Sequence, residues 1–224
     1  SFLGSVENNR ESALVNIGTG SQISAVGEIG TLGDGIEYRP FINGEYLICG
    51  SALCGGSAYA LVEKFFRSYA VFLGMSDNSQ YASINELAEK AYRNGEQPLL
   101  VNTSFCGTRT DPMCRGSIEN IDLQNFTPSA LVLGVINGMC EELYKLYQIG
   151  HTRKSHIVAS GGAVRKNDVL RRVLEDKFGM SVSVNSVKEE APTGAALFSA
   201  YACGMVEYKD GFVDYIKYIE KADS

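Results

Sequence analysis

The sequence predicts an α/β fold with a mixed β-sheet flanked by helices. Three observations carry this expectation. The first fifty residues read as β-rich runs broken by glycine turns. Beyond them, helical patterns alternate with short strands. Most of the helical stretches also carry their own start and stop residues. A run of strands that gives way to alternating helices and strands is the order of a mixed sheet, not of a bundle or a sandwich.

The elements follow in order. "ALVNI" (13–17), "QISAV" (22–26) and "YRPFINGEYLICG" (38–50) are rich in β-formers, and the turns GTG, LGDG and NGE separate them. Gly and Asn at such junctions punctuate strands. Asn43-Gly44 between apolar flanks is a strong hairpin signal. Gly55-Gly56 opens the helical stretch "SAYALVEKFFRSY" (57–69). Its Leu61, Phe65 and Phe66, joined by Val62, share one apolar face at helical spacing. In "SINELAEKAYRNG" (83–95), Ser83 is placed to cap a helix, Glu86 completes a capping box, and Gly95 ends it. "PLLVN" (98–102) reads as a short buried strand, followed by the long loop "TSFCGTRTDPMCRG" (103–116).

The helix in "FTPSALVLGVINGMCEELYKLYQIG" (126–150) has Thr127 at its cap, Pro128 at its first position and Gly150 past its end. Leu131, Val135, Met139 and Leu143 recur every four residues. Gly134 and Gly138 share a stripe that admits another backbone closely. "HIVAS" (156–160) and "SVSV" (181–184) are strands. "NDVLRRVLEDKFG" (167–179) is a helix capped by Asn167 and closed by Gly179, and "APTGAALFSAYACG" (191–204) is a small-residue helix with Pro192 near its start and Gly204 near its end. We expect one domain over 1–206 and a tail over 207–224 with room for one short helix.

Composition excludes several function classes. The net charge is −6, and the nearest approach to a basic patch is Arg165, Lys166, Arg171 and Arg172. That is too small for a nucleic-acid surface. No apolar run reaches membrane-spanning length, and the opening residues do not read as a signal peptide. Six cysteines lack any C-x-x-C pair and have only His151 and His156 beside them, so no metal site is expected. They read as reduced thiols of a cytoplasmic protein. Cys106 and Cys114 have no motif-linked His to make them nucleophiles.

Three glycine turns stand at junctions: Gly18-Thr19-Gly20, Gly55-Gly56 and Gly161-Gly162. Each follows a strand, and the last two open helices. Glycine permits close backbone approach and positive φ. Backbone amides in such turns make anion-binding nests, and a helix start adds partial positive charge. Thr19 adds a hydroxyl. One such turn alone is an ordinary tight connection. Three of them at strand ends, where open α/β sheets bind ligands, favour a phosphate-rich ligand whose charge Mg²⁺ would balance. Neither G-x-G-x-x-G nor G-x-x-x-x-G-K-[ST] is present, which disfavours Rossmann and P-loop sites.

The segments "VNIGTGSQIS", "GGSAYALVEKFF", "DPMCRG", "ASGGAVRKNDVLRRVLEDKFG" and "APTGAALFSAYACG", in this order, resemble the C-terminal domain of the FGGY carbohydrate kinases. These are ATP-dependent sugar kinases of the actin-like ATPase (ribonuclease H-like) superfamily. The likeness spans about 1–206. "YRPFINGEYL" followed by "GTRTDPMCRG" looks most like the sedoheptulokinase branch. By resemblance, Gly18, Thr19 and Gly20 match the phosphate hairpin and Gly55 and Gly56 a turn beside the nucleotide phosphates. Gly161 and Gly162 match the adenosine loop, with Lys166 and Asn167 offering polar groups to the base. Gln22 falls where family members can touch the sugar, and Arg109 is a weaker sugar-site candidate for which a surface salt bridge is the preferred reading. Arg115 ties down its loop, while Thr193, Gly194 and Ala195 match a structural helix start behind the nucleotide. Cys114 departs from the common Ala, and the aromatic that often precedes the D-P pair is absent.

The resemblance implies transfer of the γ-phosphate of Mg-ATP to a ketose hydroxyl, with sedoheptulose as the expected sugar. It places the catalytic Asp in a Gly-Asp-x-x-Ala segment before the stretch resembling Ser1-Phe2-Leu3-Gly4-Ser5, so no catalytic residue is expected here. An N-terminal domain would be the partner that supplies most sugar contacts. The chain by itself is expected to be inactive, and its uncovered domain face to promote self-association. The alternatives are a non-kinase actin-like ATPase and a non-catalytic nucleotide-binding module.

Overall fold

The computed structural model describes residues 1–30, 33–150 and 153–219. His151, the Leu32 that opens the LGDG turn, and 220–224 of the tail lie outside the described residues. The chain begins with β1 (Ser12–Ile17), β2 (Ser21–Gly27), β3 (Ile36–Pro40) and β4 (Tyr46–Ala52). There follow α1 (Gly56–Phe72), α2 (Tyr81–Arg93), β5 (Leu100–Asn102), β6 (Ser117–Glu119) and α3 (Pro128–Ile149). It continues through β7 (His156–Ser160), α4 (Gly162–Lys166), α5 (Asp168–Phe178), β8 (Ser181–Val184) and α6 (Glu190–Ala202).

Six strands form a mixed sheet in the order β3-β4-β2-β1-β7-β8. The pairs from β3 to β1 are antiparallel, and β1–β7 and β7–β8 are parallel. One face presents Ala13, Val15, Ile17, Ile23 and Ala25 to a core completed by α1, α3 and α5. On the other face, Leu14, Val26 and Val158 pack under Phe2 and Val6. Because strand side chains alternate, both faces of the central strands need apolar residues only where both are covered.

Most predicted boundaries hold for local reasons. The Thr127 side chain accepts from the Ala130 amide and Pro128 starts α3. The Asn167 side chain accepts from the Leu170 amide and Gly179 closes α5 in the left-handed conformation. Asn43 and Gly44 both adopt positive φ between β3 and β4, as the hairpin signal requires. Gly134 and Gly138 are the points where α3 meets β5. A Cβ on Gly138 would lie 2.3 Å from the Val101 carbonyl oxygen.

Four expectations change. The start of α2 is at Tyr81, two residues before Ser83, and no side chain caps it. The buried carboxylate of Glu63 on α1 takes the Gln80 amide at 3.0 Å, so tertiary contact replaces the expected cap. "PLLVN" yields only a three-residue strand that pairs with β6 outside the main sheet, with Leu100 exposed. The one-turn helix α4 has no sequence signal beyond its glycines. In α1, Val62 alone of the expected apolar face is buried; Phe66 is half-buried, and Leu61 and Phe65 face outward. The tail contributes a short 3-10 turn, Val213–Tyr215, and its Phe212 and Ile216 pack with Leu197 of α6 and Ile42.

Candidate functional site

Topology brings the three glycine turns to one edge of the sheet. Parallel pairing puts the C-terminal ends of β1 and β7 side by side. Antiparallel pairing of Ser21 with Ala52 puts the end of β4 beside the start of β2. The turns then interlock. The Gly55 and Ser57 amides donate to the Thr19 carbonyl at 2.9 and 3.1 Å, and the Gly56 amide donates to the Gly18 carbonyl at 2.8 Å. A Cβ on Gly55 would sit 2.4 Å from the Gly20 oxygen, and one on Gly161 2.3 Å from the Ile17 oxygen. Gly161 also has φ of 96°, which a larger residue would hold only under strain. The amides expected at the α1 start to face phosphate are therefore engaged with the hairpin. Gly55-Gly56 serves first as the clamp that shapes Gly18-Thr19-Gly20.

Beside this knot opens a cleft of about 580 Å³. Of the residues singled out in the sequence, Gly18, Thr19, Gly56, Gly162, Lys166 and Asn167 line it. Gly20, Gly55 and Gly161 stand directly behind it in the interlocked turns. A Cβ on Gly162 would meet nothing within 4 Å, so this glycine leaves space for a ligand instead of for protein. The volume suits a nucleotide-sized ligand.

The inner wall is a polar network that sequence reading did not find. Tyr59 of α1 donates its hydroxyl to Asn85 Oδ1 at 2.8 Å. Asn85 Nδ2 donates to the Lys166 carbonyl at 3.4 Å, and Asn167 Nδ2 donates to Asn85 Oδ1 at 3.3 Å. Burial raises the Tyr59 pKa well above the usual phenol value, so the hydroxyl stays a donor. The Tyr59 and Tyr81 rings lie 6.2 Å apart, tilted by 30°. Ile136 and Met139 of α3 form part of the lining. The nearest sequence signal for Asn85 is a polar residue within an otherwise amphipathic helix. Its role emerges only when α2 and α4 meet.

Two candidates lie apart from the cleft. Gln22 sits on the face of β2 opposite Ile23 and Ala25, its Nε2 donating to Ser24 Oγ at 2.6 Å. The Arg109 guanidinium pairs with Glu37 of the edge strand β3, so the salt-bridge reading applies to it. Arg115 donates to the carbonyls of Pro112 and Cys114 at 2.9 and 2.6 Å and so ties down its own loop. The start of α6 packs against the first helical turn of the chain, where a Cβ on Gly194 would lie 2.8 Å from the Gly4 amide. It does not line the cleft.

Among the described residues, no carboxylate lines the cleft, and no cluster of three or more His, Cys, Asp or Glu side chains suits a metal ion. The six cysteines are free thiols. Among the described residues no helix is long and apolar enough to cross a membrane.

The model of the FGGY family of carbohydrate kinases, C-terminal domain, matches residues 14–203. Sedoheptulokinase of Homo sapiens is 22% identical over 165 residues, covering 72% of this chain and 34% of that protein. Among solved structures, ligand-bound xylulose kinase from Lactobacillus acidophilus superposes with a TM-score of 0.80 at 17% identity, over 98% of this chain and 44% of the other. Xylulose kinase from Rhodospirillum rubrum gives 0.79 at 20% identity with the same coverage. The chain thus spans about a third of the curated relative and less than half of these solved kinases.

Proposed function

Because this chain belongs to the FGGY family of carbohydrate kinases and matches its C-terminal domain, we propose that its cleft holds ATP for phosphoryl transfer to a ketose. The observation that carries this is the convergence of Gly18, Thr19, Gly56, Gly162, Lys166 and Asn167 on one cleft. Thr19 and the hairpin lie toward the phosphates. Asn85, Asn167 and the Tyr59 and Tyr81 rings offer hydrogen bonds and flat apolar surface to the base. Phosphoryl transfer depends chiefly on positioning and charge stabilisation, with a base for the attacking hydroxyl. The cleft supplies the first of these. Among the described residues its lining offers no carboxylate as base or as Mg²⁺ ligand, so Mg²⁺ would be held by the ATP phosphates and groups outside this cleft.

The base, most sugar contacts and the closing wall of the site belong to the N-terminal domain of such a kinase, and this chain alone transfers no phosphate. Gln22, half-exposed beside the hairpin, is its contribution to the sugar side. The likeness to sedoheptulokinase supports sedoheptulose as the sugar. The free thiols fit the reducing cytoplasm.

Gly162→Leu tests the nucleotide half. Its Cβ would meet no protein atom within 4 Å and the side chain would extend into the cleft, so ATP binding should weaken at least tenfold while the melting temperature stays near that of wild type. Equal affinity in wild type and variant would place the nucleotide elsewhere. ADP release by the two-domain kinase with sedoheptulose, xylulose, ribulose and glycerol tests the sugar. A preference for sedoheptulose supports the branch, and a preference for another sugar discards it.

A further inference from the structure

Two cysteines remote in sequence meet at the base of the glycine hairpin. Cys54 follows β4 and directly precedes Gly55. It is buried, at 2% exposure, and its carbonyl accepts from Ser21 Oγ at 3.3 Å. Cys106 lies in the loop after β5 and is exposed. The fold brings the two together from separate directions. Pairing of Ser21 with Ala52 sets the end of β4 against the hairpin. Gly134 and Gly138 seat β5 on α3, and Phe105 then packs against the same core cluster that holds Cys54. The Cys54 thiol thereby reaches both the side chain and the backbone of Cys106.

From this contact we infer that Cys54 and Cys106 are a peroxide-sensitive pair that closes to a disulfide. The roles follow from burial. Hydrogen peroxide meets the exposed sulfur of Cys106 first. That sulfur attacks one peroxide oxygen and the O–O bond breaks. The departing hydroxide takes a proton and leaves as water, and Cys106 becomes a sulfenic acid. The Cys54 sulfur then attacks Cys106 Sγ. Its proton leaves with the sulfenic hydroxyl as a second water, and the S–S bond forms. The two thiols give up two electrons in all, and one peroxide accepts them. Burial pushes the Cys54 thiol up, which disfavours its thiolate and makes it a poor first target. As the resolving thiol it needs no encounter, because its partner is already in contact.

The surroundings hold Cys106 ready. Thr103 Oγ1 donates to Glu142 at 3.1 Å, and the Ser104 amide donates to Asn102 Oδ1 at 3.0 Å. The Gly107 amide donates to the Ser104 carbonyl at 3.0 Å. Cys114 shares the loop, but its thiol turns to the Arg115 carbonyl at 3.9 Å. Cys49 and Cys140 are buried. The new bond would tie the loop to the residue before the Gly55-Gly56 clamp. A disulfide that forms and reverses with redox state is of the kind a reducing compartment permits. The inference stands apart from the nucleotide reading, since it needs no bound ligand.

Mass spectrometry of the 224-residue chain tests it. The chain is reduced with dithiothreitol, freed of it and treated with hydrogen peroxide in slight excess. It is then alkylated with N-ethylmaleimide in urea and digested without reduction. Wild type should give a Cys54–Cys106 peptide pair that dithiothreitol separates. Cys54→Ser should leave Cys106 as a sulfenic acid that dimedone traps, roughly tenfold more than in wild type. Cys106→Ser, at an exposed site, provides an independent variant should Cys54→Ser lose its thermal transition. It should abolish the pair and leave Cys54 alkylated. Cys203→Ser should keep the pair. Cys54 and Cys106 both alkylated in peroxide-treated wild type overturn the inference. So does Cys106 linked to Cys114, or an equal yield of the pair when peroxide is added to the chain already unfolded in urea.

Discussion

Helices α1 and α3 both contribute to the cleft and both carry an apolar repeat, yet they turn it in opposite directions. In α3, Val135, Met139 and Leu143 are each 1% exposed or less. In α1, Leu61, Phe65, Tyr69 and Phe72 stand in solvent. The periodicity of a helix identifies which residues share a face. It does not say which way that face turns, because packing on every side decides it. The sheet and β5 enclose α3, with Gly134 and Gly138 letting the β5 backbone in. By contrast, α1 is covered on one side only, and small side chains such as Ala58 and Ala70 there let it lie close.

Gly138→Val attacks the buried side of this contrast most severely. Its Cβ would meet a backbone oxygen at 2.3 Å, and neither the carbonyl nor the sheet can move aside. We expect a loss of more than ~4 kcal/mol, or no cooperative unfolding transition. A near-native urea midpoint would mean that α3 slides away from β5 freely, and the contrast with α1 would collapse.

Leu143→Ala against Phe65→Ala is the more direct comparison. The first empties a fully buried position and should cost about 2–5 kcal/mol in chemical denaturation. The second removes an exposed ring and should stay within ~0.5 kcal/mol of wild type at concentrations where the chain is monomeric. Similar losses would show that both faces are core.

The smallest expected effect is electrostatic. A hydrogen bond from Lys177 of α5 holds the Glu141 carboxyl on α3 below its ordinary value, against the opposing pull of burial. The unfolded chain keeps a carboxyl near pH 4.3. The folded state therefore gains stability that is present above the unfolded value and is lost as pH falls through the lower folded value. The two side chains are 32 and 37% exposed, so solvent screening keeps this gain small. Thermal midpoints of Glu141→Gln should fall less steeply than those of wild type in that acidic range. Phe65→Ala adds no titrating group and should track wild type. An unchanged slope in Glu141→Gln would remove the pair from the account of α3.

Much of the site was legible for a local reason. Gly161 must accept a φ of 96°, Gly55 must let the Gly20 carbonyl within reach, and Asn167 must cap α5. Each requirement selects a residue type that the sequence displays openly. Tyr59, Tyr81 and Asn85 were illegible as site residues, since two helices and a turn remote in sequence bring them together. Arg109 was ambiguous for the same reason: only the fold sets Glu37 beside it. Ser83 was misassigned as a cap because the Glu63 carboxylate that holds the helix start lies on a different helix.

By itself, the sequence determined the order of strands and helices, the ends set by Thr127, Asn167, Gly179 and Asn43-Gly44, and the positions of the three glycine turns. These depend on φ, ψ and hydrogen bonds within a few residues, so a short window contains their cause. The tertiary structure decided that the three turns interlock at one sheet edge, that Asn85 and two tyrosines line the cleft, and that the aromatic stripe of α1 faces outward. Those outcomes depend on which surfaces meet across the chain. Burial is a property of the whole packing, and no local run of residues carries it.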